Sequence, residues 1–262
     1  MNIKRLFMLA ILPALGASAA DEPVLRYIES STLNLEMEQE IFVRDKPDAI
    51  AGRSLTLSFE MSAPSDAGDV DVRVTSAKGS YEAHGMAQRL PASHLKGEQF
   101  VLLSDGVSMS SDGSGGKLSV GTIDGDGLQL SALLVSLMPD LPADTISEGV
   151  GWSSNLEIRS LQGWAWAQGT IEYSHEVLSV SERDDSLIVE VRSKGESTLT
   201  TADGNDVYVG EGYVSQTMEW RFDASSGRLI DVSLNQQATG TNVMPRGEVP
   251  FRQTTRITMH GS

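Results

Sequence analysis

Leu33-Asn34-Leu35-Glu36-Met37-Glu38-Gln39-Glu40-Ile41-Phe42-Val43 is the stretch that decides the fold. Leu33, Leu35, Met37, Ile41 and Val43 share one parity, and Asn34, Glu36, Glu38 and Glu40 the other. A period of two places alternate side chains on opposite faces of a strand, one facing a core and one facing water. The same alternation returns at Leu55–Met61, Val70–Val74, Ile171–Val177, Val214–Phe222, Ile230–Leu234 and Ile257–Met259. Strands wet on one face belong to antiparallel sheets, whereas parallel strands are covered on both faces. Turn residues separate the runs at Lys78-Gly79, Ser104-Asp105-Gly106, Ser111–Gly116, Asp203-Gly204-Asn205 and Asp223–Gly227. Many long strands with one apolar face predict a mainly β protein: a large curved antiparallel sheet, a half-barrel or open barrel.

One segment breaks this pattern. Leu130, Leu133, Leu134, Leu137 and Met138 fall at the i, i+3, i+4, i+7, i+8 spacing of a helix, Asp126 stands where a cap is needed, and Pro139 ends the run. Leu128, Ala132 and Val135 widen the apolar stripe until little polar face remains, so this short helix must be buried. The reading is a single all-β domain over 21–262, with strand-rich halves at 24–123 and 149–260 joined by a helix at 127–138.

Residues 1–20 carry Lys4 and Arg5, an apolar run from Leu6 to Leu15, and small residues at Ala17, Ser18, Ala19 and Ala20. That is the pattern of a cleaved secretory signal, too short to span a bilayer. It predicts a soluble protein in the periplasm of a Gram-negative bacterium. There is no cysteine, which excludes disulfides, thiolate chemistry and a cysteine-linked lipid. The 262 residues hold 20 Lys and Arg against 36 Asp and Glu, a net charge of −16, or −18 once Lys4 and Arg5 leave with the leader. Such a chain does not neutralise phosphates, so nucleic acid is excluded as a general partner, and anionic lipid surfaces are disfavoured. A transmembrane barrel shares the alternating pattern. Aromatics at 6% are sparse for two interfacial girdles, however, and Arg256–Ser262 ends without an aromatic residue.

Catalytic patterns are absent from the sequence. Asp112-Gly113-Ser114-Gly115-Gly116 inverts the order found around a protease nucleophile and reads as a hairpin tip. His84, His94, His175 and His260 stand in no zinc-binding spacing, and His175 shares the apolar parity of its strand, as a satisfied interior histidine would. Asp124-Gly125-Asp126 and Asp203-Gly204-Asn205-Asp206 lack the further ligands of a calcium loop. Glu36, Glu38 and Glu40 read as a solvated face. The expectation is therefore a protein that is not an enzyme, with no metal and no cofactor.

The four tryptophans, Trp152, Trp164, Trp166 and Trp220, all follow the helix. Trp164 and Trp166, two apart, share a strand face. Such rings fill a deep core or, with helix residues, wall an apolar cavity. The candidate ligand-binding set is Leu130, Leu133, Leu134, Leu137, Met138, Trp152, Trp164 and Trp166. The ligand expected there is an acyl chain, a lipid or a lipoprotein segment; the alternative is an envelope protein–protein interaction module with a filled core.

The second half also has a recognisable order of events. A short helix ends at Met138-Pro139-Asp140-Leu141-Pro142, then Gly149-Val150-Gly151-Trp152 opens a strand and Tyr173 sits in the next. Gly210-Glu211-Gly212 leads into a long strand, and Phe222-Asp223 to Gly227-Arg228 forms a turn. This resembles an exported bacterial family of unknown function built on curved antiparallel sheets. More remotely it is similar to the half-barrel of the periplasmic lipoprotein carriers. The resemblance implies a concave face, partly covered by a helix, that receives an acyl chain or hydrophobic segment. It carries over no site residue.

Overall fold

The computed structural model describes residues 24–43, 46–83, 86–89, 92–111, 117–119, 127–162, 165–184, 186–202, 209–244 and 247–261. It is mainly β, with one large antiparallel sheet that does not close into a barrel. The strands are β1 (Ser31–Val43), β2 (Ala51–Met61), β3 (Asp69–Ala83), β4 (Met86–Arg89), β5 (Gln99–Ser104), β6 (Met109–Ser110), β7 (Lys117–Ser119) and β8 (Gly127–Gln129). Helix α1 (Leu130–Leu137) follows, then β9 (Gly151–Gln162), β10 (Ala165–Arg183), β11 (Ser186–Ala202), β12 (Val209–Asp223), β13 (Arg228–Met244) and β14 (Gly247–Gly261).

Twelve of these strands form one sheet in the order β6-β5-β3-β2-β1-β14-β13-β12-β11-β10-β9, with β4 on β3. From β9 to β14 the chain simply meanders, each strand pairing with the next. The two strand-rich halves become one sheet because β1, near the start, pairs with β14, at the end, from Leu33↔Gly261 to Val43↔Phe251. The free edges are therefore β4, and β5 with β6, on one side and β9 on the other. Helix α1 packs against β5, β6 and β9, between those edges. An apolar helix placed there covers edges that would otherwise offer unpaired backbone groups.

The alternating residues behave as their parity demands. Leu33, Leu35 and Met37 of β1 are buried, and Glu36, Glu38 and Glu40 are exposed. Leu55, Leu57, Phe59 and Met61 of β2, and Val70, Val72 and Val74 of β3, join the same core. From the second half come Met218, Trp220, Phe222, Val232, Leu234, Ile257 and Met259. Leu130, Leu134 and Leu137 of α1 are fully buried in this cluster.

The segment before β1 straps the same end of the molecule. Tyr27 N–H donates to Gly106 O and Ile28 N–H to Gly227 O, in the β5–β6 and β12–β13 turns, while Tyr27 Oη donates to Pro139 O (2.7 Å) just after α1. Gly227 holds φ of +70°, and a Cβ there would lie 2.5 Å from Arg26 O. Glycine is thus required where the strap crosses.

Two local expectations are corrected. The helix begins at Leu130, not 127, because Gly127–Gln129 pair with Lys117–Ser119 as a small hairpin; Asp126 lies outside the described residues. Lys78-Gly79 is no turn: it continues β3, with Gly79 opposite Leu55 in the β2 ladder. The turns at Ser104–Gly106 and Asp223–Gly227 form as expected. Residues 112–116 and 203–208 lie outside the described residues.

Candidate functional site

The inward face of the sheet is divided by polarity. Reading straight across the strands, Ser154 of β9 pairs with Tyr173, Tyr173 with Gly195, and Gly195 with Gln216. The line continues through Gln236, Thr255, Gln39 and Arg53 to Tyr81 of β3. Nine neighbouring strands thus carry one unbroken row, mostly of polar residues. Gly195 is the one position in it without a side chain. Because the side-chain period is two, every member lies on the same face as the core residues of its own strand.

This row sits between two apolar clusters. On the α1 side the next row includes Met218, Leu234, Ile257, Met37 and Leu55, all part of the main core. On the other side Ile171, Val214 and Ala238 form a second cluster with Tyr173, and Leu156 packs against it. The interior is therefore banded, apolar then polar then apolar. The α1 end is filled, whereas Ser154, Gln236, Arg53 and Tyr81 of the polar row, and Leu156 and Ile41 beyond it, are only half-buried.

Hydrogen bonds knit the polar groups together across strands. Tyr173 Oη donates to Gln216 Oε1, and Gln216 Nε2 to Gln236 Oε1 at 3.1 Å. Gln39 Nε2 and Gln253 Nε2 both donate to Thr255 Oγ1, at 3.1 and 3.3 Å. Buried amides and phenols need such partners, because an unmade hydrogen bond costs roughly 1–3 kcal/mol in the interior. Burial raises the Tyr173 phenol well above its usual value, so it stays protonated and donates.

Beside this row, His175 anchors a directional chain. Its Nε2 meets Ser154 Oγ at 2.8 Å and its Nδ1 meets Ser193 Oγ at 2.7 Å. Trp220 Nε1–H donates to Ser193 Oγ at 2.9 Å, and the Asp140 carboxyl accepts from Ser154. One neutral tautomer satisfies the whole series: Trp220 to Ser193, Ser193 to Nδ1, Nε2–H to Ser154, Ser154 to Asp140. Burial pushes the imidazole down to about 4, in keeping with that neutral form. In a hydrolytic triad the acid orients the histidine and the histidine activates the serine. Here Ser154 stands between acid and imidazole, the wrong order for that chemistry.

The sequence-derived set is distributed as follows. Leu130, Leu133, Leu134, Leu137 and Met138 are buried in the main core on and just after α1. Trp152 is half-buried, stacks on His175 with ring centroids 4.8 Å apart, and donates to Asp140 O. Trp166 lies on β10, paired with Leu161 and Ala202. Trp164 falls outside the described residues, as do His84 and Asp124 to Asp126. Among the described residues, no group of three or more acidic or histidine side chains is placed to hold a metal ion. Also among them, no helix is long and apolar enough to cross a membrane.

The polar row itself was missed by sequence reasoning. Its signal is a polar residue at the apolar parity of a strand: Gln39 between Met37 and Ile41, Arg53 two before Leu55, Gln216 between Val214 and Met218. Each looks incidental alone. Only the register aligns them.

Compared with known proteins, the chain matches no family model and no curated sequence.

Proposed function

We propose that the chain is a non-enzymatic carrier or binding protein for a single-chain amphiphile, held on the concave face of the sheet. The observation that carries this reading is the banded interior: a cross-strand polar row between two apolar clusters, half-buried away from α1. An amphiphile presents the matching pattern, an alkyl chain beside a polar head. The α1 leucines and Met138 form the apolar floor of this site, and Trp152 stands on its β9 wall. The N-terminal leader pattern supports action in the periplasm of a Gram-negative bacterium. Tryptophan emission tests the reading, since Trp152 lies one row and Trp220 two rows from the polar line: adding a long-chain amphiphile saturably shifts it, and an unresponsive spectrum contradicts the carrier.

A second reading, an envelope interaction module, draws on one observation. Val101 and Leu103, two apart on the edge-proximal β5, are 37% and 45% exposed on the outer face. Crosslinking at those positions would then capture an envelope protein from cells.

A further inference from the structure

We propose that Arg53 receives the carboxylate of the bound amphiphile, which makes the ligand a long-chain fatty acid rather than a neutral lipid. This deepens the carrier reading and rests on it. Arg53 stands in the polar row between Gln39 and Tyr81, on the core face of β2. Its Nε is buried with no hydrogen-bond partner, and among the described residues no carboxylate pairs with its guanidinium. None of the residues in its row, or in the row on either side, is Asp or Glu. In a chain of net charge −16, the acids have been kept off this surface.

A guanidinium cannot escape burial by losing its proton as a lysine can, so it needs an anion. Desolvation does weigh on it, drawing its pKa down to about 10. The chemistry of the surroundings selects the anion. One fixed positive charge matches a monoanion, and the planar fork of Nε and Nη matches the two oxygens of a carboxylate. The Tyr81 phenol next in the row is a further donor, and Gln39 is neutral. A phosphate dianion would call for more positive charge than this row contains. Leu55 and Ala51, two residues to either side on the same face, are buried apolar neighbours suited to an alkyl chain.

The test is a titration of the purified, delipidated protein with sodium palmitate, hexadecanol and sodium acetate, followed by tryptophan emission and calorimetry. Wild type is expected to bind palmitate about 10-fold or more tighter than hexadecanol, the ratio a charge-assisted pair contributes, and acetate not measurably. Arg53→Met is expected to bind the two long-chain probes within about 2-fold of each other. Without ligand it should melt at or above the wild-type temperature, because it no longer buries an unpaired charge. Equal wild-type affinity for palmitate and hexadecanol overturns the role of Arg53 while leaving the carrier reading intact. Binding of neither overturns both. Acetate binding as tight as palmitate would mark a plain anion site, and a lowered melting temperature in Arg53→Met a structural arginine; either overturns the proposal. Should Arg53→Met fail to fold, the wild-type ratio decides.

Discussion

Gly195 makes room for Tyr173. A Cβ on Gly195 would lie 2.6 Å from Tyr173 Cε1 and from Ile171 Cγ2, inside any permitted contact. With hydrogen there instead, the Tyr173 ring lies across β11 and its hydroxyl reaches Gln216 on β12. The glycine is the one gap in the polar row, and the phenol spans it.

Gly195→Ala should therefore push Tyr173 aside and strand the Gln216 amide. The expected cost is about 1–3 kcal/mol, as for overpacking a filled interior. Denaturant unfolding checks it. A Gly195→Ala protein as stable as wild type would mean that the ring does not rest on this glycine.

Acid should weaken the protein through His175. Its folded pKa of about 4 lies below the ordinary 6.5, so between those values the unfolded chain binds the extra proton. The contribution of the neutral imidazole is complete above pH 6.5 and is lost as pH falls toward 4, about 3 kcal/mol in all. Asp140, raised by burial, works in the opposite direction over that range. Comparison with His175→Asn isolates the imidazole. Urea midpoints at pH 7.5 and 4.5 should fall further for wild type than for His175→Asn; parallel losses would contradict the assignment.

Much of the fold was legible in the sequence, because alternation reports directly which face of a strand is buried. The register of β1 against β14 was not, since nothing local links Leu33 to Gly261. The helix was readable from its leucine spacing, but its first turn was lost to β8, which depends on the partner β7. For the site, Trp152 and the α1 residues were visible as large apolar groups. Arg53, Gln39 and Gln216 were not visible together. They are separated along the chain and meet only when neighbouring strands set their register.

The floor should be the costliest place to truncate. Leu134 of α1 is fully buried between the sheet edges, and Leu134→Ala should cost about 2–5 kcal/mol, the range for a cavity in a packed core. Tyr27→Phe should cost less, about 1–3 kcal/mol, by leaving the buried Pro139 carbonyl without its donor. Thermal unfolding ranks the two, and a milder Leu134→Ala would mean that α1 is not part of the core.

The outer face should be nearly indifferent. Glu38 is exposed opposite Arg256 on β14. Glu38→Ala should change stability by no more than about 0.5 kcal/mol, the usual scale for a solvated charge. A large loss would show that the Glu36, Glu38 and Glu40 face is covered in the folded protein.

The carrier account is tested most directly by native mass spectrometry of the protein purified from cells without detergent, before and after organic extraction, and again after adding palmitate. The account predicts an added mass that solvent removes and palmitate restores at one equivalent. A bare chain in every sample, including that with palmitate, would contradict it.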